Sequence, residues 1–287
     1  MTSQPDRPDP PGHAGDPLER VLTLIRYLRV HCPWDARQTA LSLVPHLLEE
    51  AHEVAQAIRD RARPDDLSSE LGDLLLNVAY QVVVAEEGGG PGAAAVVRAL
   101  ERKMVRRHPH VDWSGYPLPL PDAVHGADAE PGPGPGDWEL RKAAERGPGA
   151  SALDGIARGL EPLARAHAIQ ERAAAVGFDW DDLEGPAAKV LEELEEAREA
   201  LARRASGAGS DEHVEGELGD LLFAVVNLAR RAGVHPGNAL ATANAKFERR
   251  YRRMEALLAG RGARAADLSL AELDAVWEEV KGAEARA

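Results

Sequence analysis

Apolar residues recur at the spacing of an α-helix along most of this chain, and a long polar segment interrupts them. From Asp16 to about His110 the apolar positions follow helical spacing, and the pattern resumes near Trp138 and continues to the C-terminus. The second stretch is broken once, at the glycine-containing sequence "RASGAGSD". Aromatic and β-branched runs typical of strands are absent. The pattern therefore predicts an all-α protein.

Proline and glycine mark the predicted domain boundaries. We predict a disordered, proline-rich tail over residues 1–15, a first helical domain over 16–112, a linker over 113–150 that contains "EPGPGPG", and a second helical domain over 151–287. The last helix is expected to begin after Ser269, because Ser269 and Glu272 have the spacing of a capping box.

The two halves repeat one another. The sequence motif "ELGDLL" occurs at residues 70–75 and again at residues 217–222. In each half, E-E-x-x-E precedes this motif and K-x-x-R-R follows it, so three helical segments share one order twice. The sequence therefore predicts two tandem helical repeats.

Acidic residues occupy unusual positions in both repeats. In the second repeat, Glu193 and Glu196 share one face of a helix, and Glu217 and Asp220 lie on the next helix, which we expect to be mostly buried because apolar residues cover its other directions. Buried carboxylates need a partner, and more acid close by would raise their pKa values, so a divalent cation resolves the conflict. Oxygen ligands favour Mg²⁺, with Mn²⁺ as a substitute. The first repeat offers the corresponding acids Glu50, Glu53, Glu70 and Asp73.

A glycine lies inside each "ELGDLL" helix, at Gly72 and Gly219. An interior helical glycine costs roughly 1 kcal/mol relative to alanine. We therefore expect another backbone to approach both positions closely.

The residues that accompany the acids distinguish between two kinds of carboxylate site, a di-iron site and a phosphate-binding site. A di-iron bundle uses Glu-x-x-His from two helices, but only Glu49 and His52 have that spacing in the acid helices. A phosphate-binding site instead needs cations, and each repeat has them after its acids. These residues are Lys103, Arg106 and Arg107 in the first repeat, and Lys246, Arg249 and Arg250 in the second.

Composition and charge argue against several classes of protein. The 287-residue chain has a formal net charge of −14, which argues against binding to nucleic acid polymers. Its one cysteine cannot form an intramolecular disulfide, and no apolar run approaches the roughly 20 residues that span a bilayer. We expect a cytoplasmic protein that does not enter membranes.

Taken together, these motifs resemble the MazG nucleoside triphosphate pyrophosphohydrolases. The resemblance rests on "CPWDARQT", the two acid pairs, "RRHPHV", "VGFDWDDLEG" and "NAKFERRYRRME". It implies helical-bundle modules completed by homodimerisation, and Mg²⁺-dependent hydrolysis of nucleoside triphosphates to monophosphate and pyrophosphate. It also implies metal ligands and nucleotide contacts in the second repeat. The implied ligands are Glu193, Glu196, Glu217 and Asp220, and the implied contacts are Lys189, Glu192, Lys246, Arg250 and Trp277.

Several assignments extend this interpretation. Glu192 is our candidate base or water-orienting residue. Trp277 and Trp180 are candidates to stack on the base, with core packing as the favoured alternative for each, and Asn227 is a candidate to contact sugar or base, with helix-face packing as an equal alternative. In the first repeat His46 replaces Lys189, so we expect the second repeat to hold the main site. A regulatory nucleotide-binding protein with weak or no turnover, or a structural helical dimer with a stabilising ion, remains an alternative. The sequence leaves open the base preference, the relative placement of the domains and any protein partners.

Overall fold

The protein is built from α-helices, as the apolar spacing predicts. A computed structural model describes residues 17–108, 110–117 and 149–285, and within these ranges no strand occurs. The predicted tail and most of the predicted linker lie outside the described residues. The helices are α1 Pro17–His31, α2 Val44–Arg59, α3 Pro64–Glu87, α4 Ala93–Arg107, α5 Pro162–Ala175, α6 Glu184–Ala205, α7 Asp211–Arg231, α8 Pro236–Gly260 and α9 Leu270–Glu284. None of these helices combines the length and apolar character that a membrane span requires.

The chain divides into two compact units between residues 131 and 132. In the first unit, α2 packs against α3. Helix α1 also packs against α3, where it contacts Ala79, Tyr80 and Val83. The core of this unit is formed by α1, α3 and the segment before α2. Its fully buried apolar residues are Leu22, Ile25, Leu43, Ala79, Tyr80 and Val83.

The second unit repeats this arrangement with α5, α6 and α7. Helices α6 and α7, joined by residues 206–210, form its most extensive helix contact, and α5 packs on α7. The buried side chain of Gln170 fixes α5 to α7, because its amide nitrogen donates to the carbonyl of Phe223 over 2.8 Å. The tandem hairpins α2–α3 and α6–α7 confirm the predicted repeat.

The last helix, α9, packs on α8 around a separate apolar core. This core contains Met254 and Leu258 from α8, and Val276 and Val280 from α9. The predicted capping box is present, since the Ser269 hydroxyl accepts from the Glu272 backbone and the Glu272 carboxylate accepts from the Ser269 backbone over 2.8 Å. This box fixes the start of α9.

Helix α7 is less buried than its sequence predicts. Leu218, Leu222, Phe223 and Val225 are all exposed, and Leu222 keeps 59% of its surface accessible. Apolar residues surround almost the whole circumference of this helix, but α5, α6 and α8 cover only part of it. The expectation of a mostly buried helix is therefore wrong for the single chain.

The expected backbone approach to the repeated glycines is also absent within each unit. Apart from the backbone of its own helix and its chain neighbours, a Cβ atom built on Gly72 or Gly219 meets no atom of the described residues within 4 Å. Both positions face open space, so packing inside the described chain does not explain these glycines.

Candidate metal and nucleotide site

Three carboxylates of the second unit meet between α6 and α7. Oxygen atoms of Glu193, Glu196 and Glu217 lie within 4.8 Å of one another. Glu193 is only 6% exposed, Glu217 is half-buried and Glu196 is exposed. Two adjacent helices thus bring three negative charges to one place, partly sheltered from water.

The position of Glu193 follows from the buried stripe of α6. The other buried residues of this helix are Pro186, Ala197 and Ala200, and Glu193 falls in the same stripe at helical spacing. Alanine side chains at two of these positions allow α7 to approach closely. The packing that joins the hairpin therefore also draws the Glu193 carboxylate towards Glu217.

The electrostatics of this group favour a bound cation. Partial loss of hydration beside its neighbours, followed by the negative charges of Glu193 and Glu217, raises the pKa of Glu196 although its side chain is exposed. Lys189 supplies one positive charge, with its Nζ atom 2.8 Å from Glu192 and 2.6 Å from Glu193, and these contacts raise the pKa of Lys189. One lysine does not balance three carboxylates. An all-oxygen donor set with excess negative charge fits a hard divalent ion.

Two predicted residues border the carboxylate group. Asp220 lies one helical turn after Glu217 and is exposed, but its carboxylate is not among the three that meet. Glu192 is exposed and bonded to Lys189. His213, which was not predicted as a site residue, lies 3.4 Å from the Glu217 carboxylate.

The first unit contains a corresponding acidic group. Oxygen atoms of Glu50, Glu53 and Glu70 lie within 4.8 Å of one another. Burial, followed by the negative charge of Asp73 and then that of Glu53, raises the pKa of Glu50. The exposed residue Asp73 is therefore close enough to influence the ionisation of this acidic group.

The residue that replaces Lys189 in the first unit makes a weaker contact. His46 lies 3.9 Å from Glu49, one helical turn away, and both side chains are exposed. A histidine carries its charge only when protonated, whereas lysine is charged at neutral pH. The position that supplies a permanent positive charge to the second acidic group therefore holds a titratable histidine in the first.

The basic residues of α8 contact α9. Arg249 and Arg250 both form ion pairs with Glu284, at 3.3 Å and 2.8 Å. Lys246 lies on the same helix and is exposed. In the first unit, Lys103, Arg106 and Arg107 lie in the last two turns of α4. The interaction between α8 and Glu284 was not predicted.

The predicted base-contacting residues have partners within the second unit. The ring of Trp277 lies 5.2 Å from that of Phe247, measured between centroids. Trp180 packs against Gly185 so closely that a Cβ atom there would lie 2.0 Å from its ring. The side-chain oxygen of Asn227, a residue that is buried, accepts from Arg230 over 2.9 Å.

Each unit ties the segment before its acid helix to the helix that carries "ELGDLL", a feature that the sequence did not reveal. In the second unit Arg230 donates to Asp179 of "GFDW" over 3.1 Å. In the first unit the hydroxyl of Tyr80 donates to Asp35 of "CPWD". The adjacent tryptophan and aspartate that both motifs contain were the available signal.

Comparison with known proteins agrees with this repeated geometry. Residues 38–112 and 183–254 match the model of the MazG nucleotide pyrophosphohydrolase domain, once in each unit. The chain is 41% identical over 273 residues to the nucleoside triphosphate pyrophosphohydrolase of Escherichia coli strain K12, covering 92% of this chain and 97% of that protein. It is 39% identical over 274 residues to the nucleoside triphosphate pyrophosphohydrolase/pyrophosphatase MazG of Thermotoga maritima, covering 94% and 97%. The chain therefore belongs to the MazG family.

Proposed function

We propose that this protein is an enzyme that hydrolyses nucleoside triphosphates to nucleoside monophosphate and pyrophosphate. The observation that carries the proposal is the carboxylate group of Glu193, Glu196 and Glu217, with Lys189 beside it, inside a MazG domain. The names of the two relatives describe the same reaction. A hydrolase of this kind has to bind a polyanion and position water, and acids beside cations serve both purposes.

The residues fit Mg²⁺, with Mn²⁺ as a substitute. We assign Glu193, Glu196, Glu217 and Asp220 as its ligands, with Asp220 included because it follows Glu217 by one helical turn. When bound, the ion neutralises charge on the triphosphate and lowers the pKa of a coordinated water.

The remaining side chains have separate roles in the proposal. Glu192 orients the attacking water or accepts its proton, because it is exposed beside the carboxylate group. Cations hold phosphate oxygens, since both lysine and arginine suit them. These cations are Lys189, Lys246, Arg249 and Arg250, while Trp277 and Asn227 are assigned to the nucleoside.

The first unit holds a second, less complete site in this proposal. Its metal ligands are Glu50, Glu53, Glu70 and Asp73, and its phosphate-binding residues are Lys103, Arg106 and Arg107. Because His46 occupies the position of Lys189 in this unit, we propose that this site contributes less to catalysis than the site of the second unit.

We further propose a cytoplasmic homodimer that removes unwanted nucleotides from the cellular pool. Exposed apolar residues support an uncovered dimer face in each unit by itself, namely Leu71, Leu75 and Val78 on α3 of the first unit, and Leu218, Leu222 and Val225 on α7 of the second. The open space at Gly72 and Gly219 allows another helix to approach.

A product assay tests the reaction. The purified chain is incubated with a panel of nucleoside triphosphates, and pyrophosphate and orthophosphate are measured separately. We expect monophosphate and pyrophosphate in equal amounts, no reaction in EDTA, and recovery with excess Mg²⁺. Diphosphate with orthophosphate would reject the proposed bond cleavage, and nucleotide binding without turnover would favour the regulatory alternative.

A further inference from the structure

Three arginines of α8 converge on one carboxylate of α9. Arg249 Nε and Arg253 Nη1 lie 3.3 Å and 3.0 Å from Glu284 Oε1, and Arg250 Nε lies 2.8 Å from Glu284 Oε2. The side chain of Glu284 is only 15% exposed, whereas Arg249 and Arg253 are largely open to solvent. Glu284 therefore occupies the middle of a cationic surface.

The charges in this cluster do not balance. Three guanidinium groups surround a single carboxylate, so two positive charges remain without a counter-ion in the cluster. The hydrogen bond from Arg250, together with the hydrogen bond from Arg249 and the charges of both arginines, outweighs burial, so the pKa of Glu284 is lowered and the carboxylate stays ionised. A ligand with several negative charges would neutralise the cluster more completely than Glu284 does.

The same arginines include two that the proposed function assigns to phosphate. Arg250 donates to Glu284 through Nε, and its side chain is 23% exposed, so a phosphate oxygen that takes this N–H has to displace the carboxylate. Planar arginine forks bind carboxylate and phosphate with similar geometry.

We propose that Glu284 is an intramolecular competitor of the substrate, held in the arginine cluster until a polyphosphate group displaces it. This inference rests on the proposed function for the assignment of Arg249 and Arg250. A triphosphate or pyrophosphate group carries enough charge to displace the carboxylate, whereas orthophosphate is a poorer competitor. Exchange of Glu284 for substrate thus couples the C-terminal end of α9 to occupation of the site.

Calorimetric titration with inorganic triphosphate tests the exchange. The full chain is titrated in EDTA, so that the carboxylates cannot bind the ligand through Mg²⁺. We expect Glu284→Gln to bind inorganic triphosphate about fivefold or more tightly than the unmodified chain, at the lower end of typical coupling between sites. Arg250→Gln should weaken binding in both backgrounds.

Glu279→Gln is the matched control. Glu279 also lies on α9 and pairs with Arg261 at 2.6 Å, so this variant removes the same charge and one ion pair from another part of α9. It should bind inorganic triphosphate as the unmodified chain does. Pyrophosphate should show the same order of affinities, and orthophosphate a smaller difference.

Equal or weaker binding by Glu284→Gln would overturn the proposal and leave Glu284 as a residue that positions the arginines. If Glu284→Gln fails to fold by circular dichroism, Glu284→Asp replaces it, because the shorter acid withdraws the charge from the cluster. Tighter binding by Glu284→Asp then supports competition, and unchanged or weaker binding rejects it. Failure of the proposed function is seen separately, as absence of nucleotide hydrolysis by the unmodified chain.

Discussion

The ammonium group of Lys189 lies 2.6 Å from the carboxylate of Glu193, one turn further along α6. Glu193 is almost completely buried, so this lysine is its charged partner when no metal ion is bound. The same lysine is assigned to the nucleotide in the proposed function. If the proposed metal ion binds Glu193, the ion and Lys189 stabilise the same buried charge, and the presence of one reduces the need for the other.

Replacement of Lys189 by methionine should make folding more dependent on metal. Without its counter-ion, buried Glu193 destabilises the metal-free protein. We expect a melting temperature several degrees lower in EDTA and a larger increase on addition of Mg²⁺. Lys281→Met is the control, because Lys281 pairs within one helix with a glutamate three residues earlier, Glu278, that is exposed rather than buried. Equal Mg²⁺ responses in the two variants would contradict the shared stabilisation of Glu193.

The two repeats should differ in their contribution to catalysis. Loss of metal ligands from a working site costs on the order of 10² to 10⁴ in rate. We predict that Glu217→Gln with Asp220→Asn removes most activity. The matched double variant, Glu70→Gln with Asp73→Asn, should keep a substantial part and mainly change stability or assembly. The measurement is kcat/KM for pyrophosphate release.

The opposite result would place the main site in the first repeat. Both double variants remove two charges from equivalent positions in "ELGDLL", so a general effect of charge on the fold should be similar in both. A selective loss in one variant therefore reports on catalysis rather than on folding.

Metal should stabilise the fold through the acidic group, in a manner that depends on pH. Mg²⁺ is expected to raise the melting temperature, and Asp220→Asn to reduce that increase. Because the pKa of Glu196 is raised, the folded chain binds this proton more tightly than the unfolded chain. Metal-free stability from Glu196 should thus increase as pH falls through its raised pKa towards 4.5, the ordinary value.

The Mg²⁺-induced increase should change in the opposite direction over the same range, since protonated carboxylates bind the ion poorly. Scanning calorimetry with and without Mg²⁺ at several pH values measures both effects. Glu196→Gln is the control, since it removes the titrating group. An Mg²⁺ response that does not change with pH would mean that the ion binds elsewhere.

Replacement of Asp179 by asparagine should destabilise the second unit. Although burial opposes it, hydrogen bonds from Arg230 and from the backbone of Trp180 hold the pKa of Asp179 below 3.8. Asp179→Asn leaves the half-buried Arg230 without its charged partner, while Asn227 still accepts a hydrogen bond from it, and we expect a cost of about 1–3 kcal/mol near neutral pH. The cost is complete well above pH 3.8 and is lost as pH falls through the lower pKa of the folded protein.

Urea unfolding at neutral and acidic pH measures this difference. Asp267→Asn is the control, because Asp267 pairs with Arg264 over 2.8 Å on an exposed surface and should cost much less. A similar loss in both variants would show that Asp179 contributes no more than a surface ion pair.

The sequence predicted those features that depend on local spacing. Helical periodicity identified the all-α class, the duplicated "ELGDLL" identified the tandem hairpins, and Ser269 with Glu272 identified the start of α9. The structure brings Glu193, Glu196 and Glu217 together because residues three apart share a helix face and the hairpin makes the two helices adjacent, whereas the Asp220 carboxylate is not among the three that meet.

The interactions that were missed join residues far apart in the sequence. Glu284 lies more than thirty positions after Arg250, and Arg230 lies about fifty after Asp179, so no helical period relates them. We overestimated the burial of α7. Its apolar residues indicate that burial of this surface is favourable, but they do not identify the element or the second molecule that buries it. Leu222 illustrates the difference, as an apolar residue that remains exposed in the single chain.

The exposed apolar residues of α3 and α7 have a consequence for dilute protein. If a second copy covers Leu222 and its neighbours, each unit gains part of its stability from association, and the folded population obeys mass action. Specific activity and melting temperature then fall together as the protein is diluted below the dissociation constant of the dimer. Assays at enzyme concentrations far below that dissociation constant would accordingly measure the dissociated monomer.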